Sequence, residues 1–193
     1  MPALSPWTPL ALSRDLPPGT VAPAHMAGQD LALWRSASGR LSVWSDRCPH
    51  RGMRLSQGFV RGEALSCIYH GWRYAEGGQC IRIPAHPDLT PPAAIRVPTF
   101  AGVEQDGVIW GAEGTPDTPP PAFAGFTGFR SLQVAAELPA CQRLTLAGVD
   151  LIVLAQPGGM VHVLAPIGAG DPDRLSAALE IERSLWEEQG VPA

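Results

Sequence analysis

The sequence predicts a mainly β fold, an antiparallel β-sandwich followed by a small α+β module. Three observations predict it. Gly and Pro number 21 each in 193 residues, which places turns at short intervals along the chain. The apolar segments between these turns span about five residues each, the usual length of a strand. A signal for a helix start, Asp171-Pro172, comes late in the sequence.

A β-hairpin is the first element that the pattern predicts. Residues 31–35 and 41–45 are rich in Leu and Trp, and they flank the turn-forming segment 36–40. Segments of the same type follow, each bounded by Gly, Pro or Asp. Strands so short and so frequent indicate a small antiparallel sandwich or barrel. The further predicted strands lie near residues 64–67, 72–75, 80–83, 95–100 and 107–112.

Pro and Gly dominate the sequence between Gly114 and Gly128, which predicts a semi-extended linker. We therefore predict a first domain over residues 1–114, a linker over 115–128 and a C-terminal module over 129–193. The helix of this module is expected to stop at Gly190. No motif in the module indicates chemistry. Its predicted strands are 130–136, 143–147, 150–155 and 160–165, and its helix has an apolar face of Leu175, Ala178, Leu179, Ile181, Leu185 and Trp186.

Composition narrows the class of protein. Hydrophobic residues make up 45% and charged residues 17%, as in a globular protein. No apolar run approaches the length of a membrane span. Residues 1–18 show neither a secretory signal pattern nor a twin arginine. The sequence thus predicts a cytoplasmic protein that contacts no membrane, and nothing in it resembles a nucleic-acid-binding stripe.

The charges are distributed unevenly along the chain. Between Asp46 and Arg82 six arginines face three acids, so this segment is about +3 within a chain of net charge −4. A locally positive face would steer an acidic redox partner. Alternatively, these arginines hydrogen-bond the carbonyls of their own loops. They are Arg47, Arg51, Arg54, Arg61, Arg73 and Arg82.

Two Cys–His pairs indicate the chemistry of the protein. The first is Cys48-Pro49-His50, and sixteen residues separate it from the second, Cys67-Ile68-Tyr69-His70. A 2Fe-2S cluster of Rieske type needs this set, two cysteines on one iron and two histidines on the other. The alternative is a Cys2His2 zinc site. Structural zinc motifs usually pair like ligands along the chain, whereas each pair here is mixed.

The residues around both pairs extend the pattern. They include Asp15-Leu16-Pro17-Pro18-Gly19, Asp46–Gly52, Leu55–Gly58, Leu65–Trp72, Gly78-Gln79-Cys80 and Ile83-Pro84. Together they resemble the N-terminal Rieske domain of the Rieske non-haem iron oxygenases, the aromatic-ring hydroxylases and oxidative demethylases. The resemblance reaches from about Trp7 to Trp110-Gly111.

This resemblance implies a β-sandwich with a cluster-binding subdomain at one exposed tip. Cys48 and Cys67 would bind one iron, and His50 and His70 the other. Electrons would come from a flavin-dependent reductase, directly or through a ferredoxin, and pass to a terminal oxygenase. The neighbours expected to pack around the cluster are Arg51, Gly52, Tyr69, Gly71 and Trp72.

The sequence departs from the high-potential Rieske proteins of respiratory complexes. Those proteins carry two additional cysteines beside the ligands and a serine soon after the second histidine. Here Gly52 or Met53, Tyr69 and Trp72 stand in those places, so that disulfide and that hydroxyl donor are missing. We therefore predict a reduction potential toward the low end of the Rieske range, about −150 mV. Cys80 and Cys141 are expected to be free, buried thiols.

The oxygenases also carry a mononuclear iron held by two histidines and a carboxylate. The three remaining histidines here, His25, His86 and His162, lie far apart in the sequence, so no catalytic residue is assigned. Three functions stay open: a one-electron carrier, which we favour, a Rieske subunit of an oxygenase whose mononuclear iron lies on another chain, or a non-catalytic regulatory or assembly subunit. The oligomeric state also stays open, because the family's contacts involve the catalytic domain.

Overall fold

The computed structural model describes residues 6–190, which form fourteen strands and one α-helix. With 42% strand and 14% helix, the predicted mainly β class is confirmed. The strands are β1 (Thr8–Leu12), β2 (Val21–Met26), β3 (Gln29–Arg35), β4 (Leu41–Ser45), β5 (Phe59–Arg61), β6 (Ala64–Ser66), β7 (Arg73–Ala75), β8 (Cys80–Arg82), β9 (Thr99–Gln105), β10 (Val108–Ala112), β11 (Phe126–Gln133), β12 (Cys141–Leu146), β13 (Val149–Ala155) and β14 (Met160–Pro166), and the helix is α1 (Pro172–Gly190).

The chain divides into two compact units. One comprises Asp15–Val103 and Gly111–Pro116 and contains both Cys–His pairs; we call it the cluster unit. The other comprises the described residues up to Arg14, then Glu104–Trp110, and the described residues from Asp117 onward. We call it the C-terminal unit. Strand β11 begins at Phe126, inside the segment that the sequence predicts as a linker.

A six-stranded sheet has the order β1-β10-β9-β4-β3-β2. The predicted hairpin is confirmed, since β3 and β4 pair antiparallel from Leu31↔Ser45 to Arg35↔Leu41. Burial follows from the apolar composition of both strands: Trp34 and Trp44 are fully buried and meet edge to face, with ring centroids 4.9 Å apart.

A small four-stranded sheet, β5-β6-β7-β8, carries the cluster unit's functional loops. Its strands have three residues each, and all neighbouring pairs are antiparallel. The first Cys–His pair follows β4, and the second lies in the connection between β6 and β7. Cys48 and Cys67 belong to the same buried cluster as Trp44, Leu65 and Tyr74. The ligand-type sulfurs are thus part of the hydrophobic core rather than appended to it.

The C-terminal unit contains an antiparallel sheet of order β11-β14-β13-β12, against which α1 packs. Leu175, Leu179 and Trp186 bury against this sheet, as predicted. Ile181 and Leu185 do not. They are 66% and 42% exposed, so the prediction of one continuous apolar face was wrong for these two residues. Across the described residues, no helix has the length and apolar composition needed to cross a bilayer.

Candidate metal centre

Two loops with the same backbone design carry the Cys–His pairs. Loop 1 comprises residues 46–54 and loop 2 residues 67–72. In loop 1 the Cys48 N–H donates to the Met53 carbonyl at 2.9 Å, and the Gly52 N–H donates back to the Cys48 carbonyl at 2.9 Å. Loop 2 has the same two hydrogen bonds, one to the carbonyl five residues after its cysteine and one from the N–H four residues after it. Cys67 N–H donates to Trp72 at 2.9 Å, and the Gly71 N–H returns to Cys67 at 3.0 Å. Both loops therefore present their cysteine and histidine from a closed turn.

Glycine is required at the equivalent position of each loop. Gly52 has φ +69° and Gly71 has φ +68°, a left-handed conformation that costs other residues energy. A Cβ on Gly71 would also lie 3.2 Å from the Pro84 Cγ. The Gly52 N–H is used inside its loop, by the Cys48 carbonyl, so its part in the site is to shape the backbone.

Both ligand-type sulfurs are buried, and one lies within hydrogen-bond distance of a hydroxyl. Cys48 is 3% exposed and Cys67 is 2% exposed. The Tyr74 hydroxyl lies 3.1 Å from the Cys48 Sγ. Burial, reinforced by the neighbouring Cys48 thiol, raises the pKa of Tyr74, so the hydroxyl keeps its proton and can donate. The structure thus places a tyrosine hydroxyl beside a ligand-type sulfur, although the serine that the high-potential proteins carry after the second histidine is absent here.

The two imidazoles lie on the outer side of the same centre. The rings of His50 and His70 have centroids 4.6 Å apart, although they come from different loops. Trp72 of loop 2 stacks on His50 of loop 1 at 4.3 Å, with ring planes only 5° apart. Tyr69 tilts over His70 at 3.8 Å while remaining exposed. Trp72 and Tyr69 therefore contact the two imidazoles, and Trp72 also links the two loops.

The pKa shifts at the centre follow from burial and charge. Partial desolvation, followed by the charges of His70 and Arg51, lowers the pKa of His50. The neutral imidazole is the form that ligates metal. Burial is also the main cause that raises the pKa of Cys67, because an isolated thiolate is costly in this core. Positive charge from a metal would offset that cost.

Asp46 anchors the beginning of loop 1. Its carboxylate is fully buried and accepts hydrogen bonds from the Ser56 N–H at 2.6 Å and the Ser56 hydroxyl at 2.7 Å. Arg54 lies 3.5 Å from the same carboxylate and 2.8 Å from Asp30. This network ties the residue two positions before Cys48 to the short 3₁₀ helix Leu55–Gln57.

The remaining candidate residues lie elsewhere. His25 is an exposed residue of β2 that lies 3.5 Å from Asp30, and His86 is exposed in the loop after β8. His162 is buried in the C-terminal unit, where its Nδ1 lies 2.9 Å from the Ser131 Oγ. Cys80 and Cys141 are free thiols, as predicted. Cys80 is buried, but Cys141 is only half-buried, so the prediction of a buried thiol was wrong for Cys141.

Tyr74 is the residue of this centre that sequence reasoning missed. A signal for it does exist. Tyr74 is the middle residue of β7, and its neighbours Arg73 and Ala75 point to the opposite face of the sheet. The middle position of this strand is therefore the one that faces the core and the sulfurs.

The donor set fits a 2Fe-2S cluster of Rieske type. Two buried thiols lie on the inner side and two imidazoles on the outer side, as a cluster with unlike ligands at its two irons requires. Among residues 6–190, no three His, Cys, Asp or Glu side chains converge on one point in the manner of a single-ion site.

Curated relatives share this region of the chain. It is 47% identical to the oxidoreductase NdmD of Pseudomonas putida over 115 residues, which cover 59% of this chain and 20% of that protein. It is 39% identical to 4beta-methylsterol monooxygenase of Methylococcus capsulatus over 132 residues, 64% of this chain and 35% of that protein. The chain therefore spans about a fifth to a third of the length of these relatives.

Solved structures show the same fold over nearly the whole chain. NdmA of Pseudomonas putida CBB5 matches with a TM-score of 0.74 and 19% identity, covering 97% of this chain and 83% of that one. Apo dicamba monooxygenase matches with a TM-score of 0.71 and 20% identity, covering 97% and 86%. Residues 6–101 match the family described as Rieske [2Fe-2S] domain. Through these residues the chain belongs to the Rieske family, whose cofactor is a 2Fe-2S cluster.

Proposed function

We propose that Cys48 and Cys67 hold one iron of the cluster and His50 and His70 the other. We further propose that the chain carries single electrons from a reductase to a terminal oxygenase. The observation that carries this proposal is the 4.6 Å approach of two imidazoles from separate loops above two buried thiols. When bound, a Rieske cluster takes up and releases one electron.

The chain's own residues suit this role. The buried cluster around Leu55, Leu65 and Tyr74 keeps water from the two thiols. On the other side His70 and Tyr69 are exposed, so a partner can approach the imidazole edge closely. Trp72 holds His50 in a fixed ring plane by stacking. A rigid site of this kind needs little reorganisation when its charge changes.

Charge at this surface supports an acidic redox partner. Each acid of the segment is already engaged: Asp46 with Ser56 and Arg54, and both Glu63 and Glu76 with Arg40. Of the arginines, Arg54 alone is held by carboxylates. The others have no ion pair within residues 6–190, and two of them, Arg47 and Arg51, lie in the loop of the first Cys–His pair. These unpaired arginines are Arg47, Arg51, Arg61, Arg73 and Arg82.

A second candidate function has an observation of its own. The structural likeness to NdmA and dicamba monooxygenase covers 97% of this chain and thus includes most of the C-terminal sheet and α1. We therefore keep, as the alternative, a Rieske component of an oxygenase whose mononuclear iron lies outside these 193 residues. Co-purification with an iron-binding partner that hydroxylates or demethylates an organic substrate would favour it.

Electron paramagnetic resonance of the dithionite-reduced protein tests the ligand assignment. A mixed Cys–His cluster is expected to give a lower average g than a four-cysteine cluster, and reductive titration should consume one electron per chain. A ferredoxin-like average g, or stoichiometric zinc without acid-labile sulfide, would overturn the proposal.

Matched variants separate ligands from neighbours. Cys67→Ser and His70→Ala should each abolish the Rieske spectrum. Cys80→Ser and His86→Ala alter a buried cysteine and an exposed histidine of the same unit, and should preserve it. The assignment would be contradicted if Cys80→Ser or His86→Ala lost the spectrum while Cys67→Ser and His70→Ala kept it.

A further inference from the structure

Helix α1 has a second apolar row that its own sheet does not cover. Leu175, Leu179 and Trp186 face the sheet. On the opposite side Ile181 and Leu185 are exposed, and they are separated by one helical turn. Ala177 lies one turn before Ile181 and is exposed as well. Three apolar residues at intervals of four thus form a continuous row facing solvent.

The positions to either side of Ile181 in this row are complementary in size and in charge. Ala177 and Leu185 lie four positions to either side of Ile181, one small and one large. Arg174 and Glu188 lie seven positions to either side, with opposite charges. In an antiparallel pair of identical helices centred on Ile181, each Ala177 therefore faces a Leu185, and each Arg174 faces a Glu188. A two-fold axis requires this self-complementarity of a single surface.

Arg174 and Glu188, the two charges that would meet in this helix pair, are not engaged by other charged groups of the C-terminal unit. Within residues 6–190 neither Arg174 nor Glu188 forms an ion pair. Two acids on one flank of the row, Glu180 and Glu187, are already used inside the C-terminal unit. Glu180 pairs with Arg130 and Arg183, and Glu187 accepts a hydrogen bond from the Ala135 N–H at 3.1 Å. Both of these carboxylates are therefore engaged with Arg130, Arg183 or the Ala135 N–H rather than with the exposed row.

We propose that the exposed face of α1 binds the same face of a second copy of this chain, antiparallel, with Ile181 on the two-fold axis. Arg174, Ala177, Ile181, Leu185 and Glu188 follow one another at intervals of three, four, four and three residues, which keeps them on one face of the helix. The contact is one helix face wide, so the dimer is weak and forms at high protein concentration. The proposal does not depend on the ligand assignment.

Disulfide trapping tests the geometry. Each variant is incubated with oxidised glutathione, which accepts two electrons and two protons as two thiols join. Ile181→Cys alone should yield a cross-linked dimer, because residue 181 meets itself on the axis. Ala177→Cys and Leu185→Cys should each cross-link poorly alone but efficiently when mixed, because each faces the other. Ala93→Cys, an exposed residue of the cluster unit, and the unsubstituted protein are controls.

Cross-linking of the mixture no better than that of its components would overturn the antiparallel arrangement. The antiparallel arrangement would also be overturned if Ile181→Cys cross-linked no more than the Ala93→Cys control. A reduced sample run in parallel shows that any dimer is disulfide-linked.

Charge reversal tests the same contact without cross-linking. By sedimentation equilibrium up to about 1 mM protein, Arg174→Glu should weaken association about tenfold, because two ion pairs become two repulsions. Arg174→Glu combined with Glu188→Arg should restore it. Arg143→Glu changes the same charge on β12 and should leave association unchanged. A monomer at every concentration, or a double variant as weak as the single one, would contradict the proposal.

Discussion

At the scale of single residues, Tyr74 changes the expectation for the redox potential. Sequence comparison found no serine after His70, and we expected a potential near the low end for lack of hydrogen bonds to sulfur. The buried Tyr74 hydroxyl, 3.1 Å from the Cys48 Sγ, supplies one such bond. A donor to sulfur stabilises the reduced, more negative state, so the potential should lie above about −150 mV.

Tyr74→Phe isolates this hydrogen bond, because the substitution keeps the buried ring. We expect the midpoint potential to fall by about 40 mV, the one-electron equivalent of about 1 kcal/mol. Spectroscopic redox titration measures it. Tyr69→Phe removes the hydroxyl of an exposed tyrosine near His70 and should change the potential far less. An unchanged midpoint in Tyr74→Phe would show that the hydroxyl does not act on the sulfur.

His162 predicts a pH dependence of stability in the C-terminal unit. Burial lowers its pKa to about 4, an effect that the nearby backbone of Pro9 and Leu10 only partly opposes. In the unfolded chain His162 takes up a proton near pH 6.5, whereas in the folded chain it does so only near pH 4. Stability is therefore complete above pH 6.5 and falls, by at most about 3 kcal/mol, as the pH drops toward 4.

Urea unfolding of the wild type and His162→Gln at pH 7.5 and pH 5 tests this dependence. The wild type should lose clearly more stability than the variant on acidification, since Gln cannot be protonated. His25→Gln, at an exposed position, is the control and should behave like the wild type. Equal losses in wild type and His162→Gln would exclude His162 as the origin.

At the scale of elements, the two ligand loops owe their shape to glycine and to an acidic anchor. Loop 1 and loop 2 share the same pair of backbone hydrogen bonds and a positive-φ glycine. Loop 1 has in addition the buried Asp46, which fastens it to the helix Leu55–Gln57 through Ser56. Backbone turns set the loop conformation, and the carboxylate sets the position of loop 1.

Asp46→Asn should loosen loop 1. The amide lacks the charge that strengthens both Ser56 hydrogen bonds and the contact with Arg54, and it turns an NH2 toward Ser56 or Arg54, at a cost of about 1–3 kcal/mol. We expect a lower urea midpoint and faster iron release to a chelator, with little change in the initial spectrum. Asp30→Asn alters the exposed partner of Arg54 and is the matched control. Iron release as slow as that of the control would contradict the anchoring role.

At the scale of the whole molecule, charge is separated along the chain. The segment from Asp46 to Arg82 is about +3 while the full chain is −4. The acids of this segment pair with Arg40 and Arg54, whereas Arg47 and Arg51, beside Cys48 and His50, have no ion pair within residues 6–190. Such a field acts on the rate at which a charged partner arrives.

Reduction by an acidic ferredoxin should consequently depend on salt. We expect its second-order rate to fall about tenfold between low and high ionic strength, as the Debye length shrinks. Arg51→Gln, next to His50, should reduce the low-salt rate by about twofold, and Arg143→Gln on β12 should not. Stopped-flow spectroscopy measures both. A rate independent of ionic strength would argue against an acidic partner.

Local patterns predicted much of the fold. The hairpin of β3 and β4 and strands β12, β13 and β14 lie close to where apolar runs and turn residues placed them, whereas β11 begins four residues earlier, inside the predicted linker. Strands β1, β2 and β5 were missed. β5 has only three residues and β2 contains Pro23, so neither shows a clear local signal. The strand expected at 95–100 begins only at Thr99, after Pro98.

The sequence by itself determined the chemistry of the site, because two Cys–His pairs with turn-forming neighbours are a local property of the chain. It also determined the strands with strong apolar runs. The tertiary structure alone decided which side chains meet: that Trp72 stacks on His50, that Tyr74 reaches Cys48, and that Ile181 and Leu185 face solvent. The reason is physical: strand pairing and helix rotation bring distant residues together or apart, and no local pattern records that outcome.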